Sequence, residues 1–334
     1  MSKNHLLVLG AGSVGKRHLG NFSSLGCQVS TMDPRPDRLE EAAKIVPLVH
    51  CFPHLDAAIS HASEFSGMVV CSPPKFHVDQ VVAFLERGVP VLLEKPASPD
   101  LASALLLDKI VRRKKVSLLL GYTYRWWPPF IEMKRRLLEM GPIRHVRFVM
   151  SAHLADWHPW ERYQDFFMAS RELGGGALLD ESHFIDLMIW FFGMPKVISG
   201  RVERLSRLEI ETDDNVDLLC IYEDNMRVSI HLDLYGRPHE KSVTVVGEKG
   251  TVQCLFDPNI LRYSQDAAGK WDFTPFDCER NDMFLAEARE FLEVVAKRRT
   301  PSCTIEDGIH VLQCIEAARQ STTLERAIRL SEIG

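Results

Sequence analysis

The sequence has no apolar run long enough to cross a bilayer. Its most hydrophobic stretch, from Phe184 to Phe192, is short and carries Asp186. It has no surplus of one charge either: the net charge is −5, with acids and bases interspersed. Nothing in it resembles the basic face that neutralises phosphates along DNA or RNA. The short run Arg112-Arg113-Lys114-Lys115 follows an apolar helical segment and reads as a solvated helix end, where cations suit the helix dipole. Cys-x-x-Cys pairs are absent, so the eight cysteines offer no clustered zinc ligands. Several of them, such as Cys71 after Met68-Val69-Val70, sit in apolar runs and read as reduced, buried thiols. His153 and His158 flank Trp157 without a third ligand nearby, so no metal is expected. There is no internal repeat and no low-complexity tract. The first residues run straight into a strand pattern, so no signal peptide is expected, and the cytoplasm is the expected compartment.

What is present is an alternation. At 334 residues the chain suits two domains. Over the first 120 residues, short apolar strands alternate with amphipathic helices. Strands are expected at His5–Gly10, Gln28–Asp33, Leu48–Cys51, Gly67–Ser72, Val89–Glu94 and Val116–Gly121. This pattern implies right-handed βαβ units and a parallel, doubly wound sheet. After residue 122 the pattern changes. Helices are expected at Phe130–Met140, ending at Gly141-Pro142, and at Ala177–Phe192, and strands at Arg144–His153, Val197–Leu205, Asn215–Tyr222, Arg227–Tyr235, Ser242–Val246 and Thr251–Phe256. Two helices, near Asp282–Arg298 and Ile305–Ser321, close the chain. The expected architecture is an α/β Rossmann domain over residues 1–122. An α+β domain with a large, open, mostly antiparallel sheet follows over residues 123–334.

Gly10-Ala11-Gly12-Ser13-Val14-Gly15 fits G-x-G-x-x-G, follows a strand and opens a helix, which is the context the motif requires. Gly10 permits a tight turn, Gly12 lets backbone approach a pyrophosphate, and Gly15 lets helix and strand pack closely. The N–H groups of the helix start at Ser13 and Val14 suit phosphate. Asp33 ends the second strand, where a carboxylate accepts hydrogen bonds from the adenosine ribose. An anion there repels a 2′-phosphate and favours NAD. Arg35 and Arg38 lie close by and keep NADP possible.

Further along, the chain resembles the glucose–fructose oxidoreductase / inositol dehydrogenase / MocA family. The carriers, after the glycine motif, are Cys71-Ser72-Pro73-Pro74-Lys75-Phe76-His77, Gly88 to Pro96 with its Glu94-Lys95-Pro96, Gly121-Tyr122-Thr123-Tyr124-Arg125, and Gly174 to Asp186. The resemblance implies a two-domain enzyme that binds NAD(P) and moves a hydride on a sugar, cyclitol or related polyol. It implies that Lys95 and His183 line the reacting carbon, joined by Asp180. It implies that Ser72, Pro73 and Pro74 shape the nicotinamide pocket, with Glu94 and His77 among the cofactor's neighbours. His77 by itself reads as structural, capping or packing the helix after Pro74. The resemblance also implies pairing of subunits through the open sheet, as a homodimer or homotetramer. One departure is the spacing of Asp180 and His183, three apart where many members have four. Positions i and i+3 share a helix face, so both still reach one pocket. A subgroup with Trp-His-Pro-Trp before the glycines, as in Trp157-His158-Pro159-Trp160, suggests amino sugars, including sialic-acid-like ones.

The residue types fit that chemistry. An imidazole titrates near working pH and suits His183 to proton transfer at a hydroxyl or carbonyl oxygen. Lys95 follows the end of a parallel strand, where ligands of open sheets bind, and its ammonium stabilises a developing alkoxide, with Glu94 orienting it. Indoles stack on sugar faces and arginine forks bind carboxylates. Arg125, Trp126, Trp127, Trp157, His158 and Tyr163 are therefore candidates for a carbohydrate pocket, or for packing between domains. Two other readings stay open: a cofactor-sensing regulator without chemistry, and a reductase of a non-sugar substrate such as a tetrapyrrole or aromatic diol.

Overall fold

Buried, nearly uniform apolar runs build the first sheet. The computed structural model describes residues 4–333 apart from positions 158, 160 and 266. The first unit contains strand β1 (His5–Leu9), helix α1 (Ser13–Ser24), β2 (Gln28–Met32), α2 (Pro36–Ile45), β3 (Cys51–Phe52), α3 (Leu55–Ser60) and β4 (Gly67–Val70). It continues with α4 (His77–Leu85), β5 (Val91–Glu94), α5 (Leu101–Lys114) and β6 (Leu118–Gly121). The strands pair in parallel in the order β3-β2-β1-β4-β5-β6. That order reverses direction beside β1, the switch point at which dinucleotides bind in this fold class. Leu6, Leu7, Val8, Met68, Val69, Val70, Val91, Leu92 and Leu93 are all fully buried, as expected of a sheet covered on both faces. The basic run at the end of α5 does lie in its last turn, and Arg112 and Arg113 pair with Asp108 and Glu86.

The rest of the chain supplies α6 (Pro128–Leu137), β7 (Ile143–Ser151), α7 (Ala177–Asp180), α8 (His183–Phe192), β8 (Val197–Glu203), β9 (Asn215–Ile221) and β10 (Arg227–Asp233). After these come β11 (Glu240–Gly247), β12 (Gly250–Phe256), β13 (Asn259–Ser264), β14 (Asp272–Pro275), α9 (Arg280–Val295), α10 (Ile305–Leu324) and β15 (Ile328–Arg329). Nine strands form a second sheet in the order β14-β13-β12-β11-β7-β10-β9-β8-β15. Only the β7–β10 pair is parallel. Alternation sorts its faces. Val146, Phe148 and Met150 of β7, Val228, Ile230 and Leu232 of β10, and Val243 and Val245 of β11 are buried. The Phe184 ring of α8 meets Phe148 on that face. Arg147, Asp217, Ser229 and His231 lie on the other face, beside Arg201.

The chain divides into two compact units, Met1–Thr123 with Arg280–Ile309, and Tyr124–Glu279 with His310–Gly334. The sequence reading placed residues 280–309 with the second domain, but they pack with the first. The reason lies in α9, whose buried face holds Met283, Phe284, Glu287, Ala288, Phe291 and Val294. Phe291 stacks edge-on against Phe22 of α1, and Phe284 against His18. The backbone N–H of Leu120 in β6 donates to the Cys303 carbonyl at 2.9 Å, tying the segment after α9 to the first sheet.

Candidate active site

In the first unit the turn after β1 is built around its glycines. Gly10 has φ +91°, and its N–H donates to the Met32 carbonyl. A Cβ on Gly15 would lie 1.8 Å from the Gly10 carbonyl oxygen, so no other residue fits there. Helix α1 therefore starts hard against the sheet. Its N-cap, Gly12, offers no side-chain cap, and its first turn has no acid. The N–H groups of Ser13, Val14 and Gly15 thus lack an intrahelical acceptor and form a cradle for an anion. Asp33, just past β2, is buried. Its Oδ2 accepts the N–H of Ala11 at 2.8 Å, and its Oδ1 that of Arg35 at 2.9 Å. Arg38 Nη1 lies 3.8 Å from Asp33 Oδ2, and the nearest side-chain atom to a Cβ at Gly12 would be that same nitrogen. Arg35 instead turns outward to Asp37. Glycine turn, uncapped helix and buried carboxylate together fit a dinucleotide, with pyrophosphate at the helix start and ribose at Asp33.

Ser72 donates to Gln80 Oε1 at 2.7 Å, and Pro73 and Pro74 lead into a short 3-10 turn. His77 is buried, and its two ring nitrogens lie 2.8 Å from the carbonyl oxygens of Ser72 and Pro96. It staples the loops that follow β4 and β5. Burial holds its pKa below the usual histidine value, against the pull of those two carbonyls. Lys95 is half-buried at the C-terminal end of β5. Glu94 departs from expectation: its Oε1 lies 2.7 Å from His18 Nε2, so the carboxylate faces α1.

In the second unit the helix expected at Ala177–Phe192 is two helices. Asp180 ends α7 and His183 begins α8. Glu181 leaves helical geometry between them, with φ −92° and ψ 21°. The shared-face argument for Asp180 and His183 therefore fails. Asp180 is buried and His183 half-buried, with its ring 4.5 Å from that of Tyr124. The Tyr124 hydroxyl lies 3.4 Å from Lys241 Nζ, which is 3.9 Å from Glu181 Oε1. Lys241 escaped the sequence reading. Its signal was the alternation of β11, which puts it on the same face as Val243 and Val245.

Arg125 does not offer a free fork for a substrate carboxylate. Its Nη2 and Nε donate to Asp186 at 2.6 and 3.0 Å, and both residues are buried. Trp127 is likewise a core side chain, 4% exposed. Trp126, Trp157 and Tyr163 are half-buried, and the Tyr163 hydroxyl accepts the Glu209 N–H. His158 and Trp160 lie outside the described residues. Two groups of possible ligands that spacing did not reveal bring their atoms within 4.8 Å of one another: His50–His61–Glu64 near the surface and His18–Glu94–Glu287 inside.

Residues 5–122 match the oxidoreductase family with an NAD-binding Rossmann fold, and residues 131–253 match the GFO/IDH/MocA C-terminal domain. The chain is 25% identical to the rhizopine catabolism protein MocA of Rhizobium meliloti, over 96% of this chain and 95% of the relative. It is 26% identical to the myo-inositol 2-dehydrogenase of Thermotoga maritima, over 98% of each. The match to the inositol 2-dehydrogenases of Corynebacterium glutamicum is 29% identical but spans 44% of each chain. In fold it is similar to a levoglucosan dehydrogenase solved in complex with NADH, with a TM-score of 0.88 and 16% identity over 98% of this chain and 99% of that one. Turn, carboxylate, sheet order and both matched segments agree: the chain belongs to the Gfo/Idh/MocA family of NAD-binding oxidoreductases.

Proposed function

We propose that this protein is an NAD(P)-dependent dehydrogenase or reductase acting on a CH–OH group of a sugar, amino sugar or polyol. The observation that carries the reading is the first unit's cradle: an uncapped helix start at Ser13, with a buried Asp33 carboxylate beside it and Lys95 at the end of β5. The bound nicotinamide supplies the hydride acceptor or donor. In the oxidising direction the substrate hydroxyl loses its proton to His183 while its carbon loses a hydride, and the Lys95 ammonium stabilises the developing alkoxide. The roles run backwards in reduction. Asp180, buried at the end of α7, is the carboxylate we assign to the same pocket as His183, and the half-buried Trp126 and Trp157 supply apolar faces for a ring. Asp33 favours NAD, because its carboxylate repels a 2′-phosphate. A relative from Bacillus subtilis is named as an NADP(+)-dependent scyllo-inositol 2-dehydrogenase, which keeps NADP within the family's range.

The test follows NADH absorbance with myo-inositol, glucose and a panel of amino sugars. Lys95→Ala and His183→Ala should each retain NADH binding and lose at least about a hundredfold in kcat. Wild-type turnover in both variants rejects the roles. A higher kcat/KM with NADP than with NAD rejects the cofactor preference. Free thiols at all eight cysteines suit a reducing cytoplasm. The face of the second sheet that carries the exposed Leu219 suits pairing with a second copy.

A further inference from the structure

Four elements of the first unit converge on one buried polar spot. His18 lies three residues past Gly15 on the sheet-facing side of α1 and is fully buried, with its Nε2 2.7 Å from Glu94 Oε1. Glu94 is the last residue of β5 and precedes Lys95. Glu287 comes from α9 and is also fully buried, and neither of its oxygens has a hydrogen-bond partner among the described residues. At the end of β6, a Cβ on Gly121 would lie 3.2 Å from both Glu94 Oε2 and Glu287 Oε1, so the two carboxyl groups face the same point.

Two carboxylates this close cannot both stay charged away from water. Either a cation or a proton must sit between them. The 2.7 Å contact between His18 Nε2 and Glu94 Oε1 requires a hydrogen between them, so this nitrogen and this oxygen are engaged with each other, while His18 Nδ1 has no hydrogen-bond partner among the described residues. A proton is therefore the better answer, and Glu287 is the group to hold it. Burial, then the charges of Glu94 and Glu290, push its acid well above the usual carboxylate range. The other groups facing the spot agree. The Cys71 thiol is kept protonated by desolvation first and then by the charge of Glu94. Glu290 pairs with Arg299. Arg17, the nearby cation of α1, stacks on Phe284.

We infer that Glu287 is a neutral acid that donates to Glu94, and that with His18 it acts as a positioning residue for Lys95. Glu94 then has a donor facing each of its oxygens. The end of β5 is fixed to the phosphate-binding helix on one side and to α9 on the other. The positioning role rests on the proposed part of Lys95 in catalysis, but the protonation does not.

The test uses the full-length protein. Infrared spectra should show a protonated-carboxyl C=O band in the wild type that is missing in Glu287→Gln. Absence of the band in the wild type, or its survival in the variant, overturns the proposal. A stoichiometric divalent metal in the purified protein, lost in Glu287→Gln, also overturns it. For positioning, lysines are reductively ¹³C-methylated and the Lys95 signal is assigned by its loss in Lys95→Arg. Glutamine keeps a donor toward Glu94, so Glu287→Gln should titrate with the wild type. Glu287→Leu should fold with an unchanged melting temperature yet shift the Lys95 midpoint by about half a pH unit or more. Identical titration in all three proteins ends the positioning role whatever Lys95 does in turnover.

Discussion

Arg125 and Asp186 show what a single charged residue in an apolar helix means. Asp186 sits among Phe184, Ile185, Leu187 and Met188, and it is fully buried. Such an acid demands a cation from elsewhere in the fold, and Arg125, 61 positions earlier, supplies a two-pronged one. Replacing Arg125 with Met strands the carboxylate in the core. Denaturant titration should show a loss of about 3–5 kcal/mol. The double variant Arg125→Met/Asp186→Leu should recover most of it, because it strands nothing. A single-variant loss under about 1 kcal/mol contradicts the buried pair. The same pair explains one limit of the sequence. Arg125 reads as a substrate fork because its spacing carries no trace of its partner, whereas Gly10, Gly12 and Gly15 announce their purpose within six residues. His18, Glu287 and Lys241 were invisible for the reason Asp186 was: their meaning lies in what the fold brings to them.

At the scale of the element, strand–helix alternation made the first sheet legible almost strand by strand. Most residues of its strands are buried, and in β1, β4, β5 and β6 the apolar run is broken only at an end, by His5 and Glu94. The second sheet was legible where faces alternate, as in β7 and β10. It was not legible at β13, β14 and β15, which are short edge or near-edge strands, and all four residues of β14 are exposed. The break between α7 and α8 also escaped, because the apolar pattern runs through it unbroken. One pair of neighbouring strands carries a titration of its own. His231 on β10 lies 2.7 Å from Asp217 on β9 and 3.1 Å from Asp233. The hydrogen bond to Asp233 outweighs partial burial, and with Asp217 it raises the imidazole pKa to about 9. A folded-state pKa above the unfolded value of about 6.5 stabilises the fold fully below that pH. The contribution fades as pH rises through about 9. Melting temperature should therefore fall between these limits in the wild type and fall less in His231→Asn. Parallel pH profiles for the two proteins remove His231 from the account.

At the scale of the whole molecule, the second sheet leaves one face with a mixed lining of Arg147, Arg201, Asp217, Leu219 and His231. A lone exposed leucine is ordinary, but 42% exposure of Leu219 on β9, two strands in from the β15 edge of the sheet, suits a partner surface. Leu219→Lys should shift the protein to a smaller species in sedimentation velocity. An unchanged sedimentation coefficient argues against association through this face. The division into units has a different bearing. Helix α9 and the segment to Ile309 complete the unit that begins at the N-terminus. Phe22 and its neighbours on α1 stay uncovered until that late segment arrives. The nucleotide-binding half thus has its sheet made before the second unit yet waits for its closing helix while the intervening residues 124–279 are made.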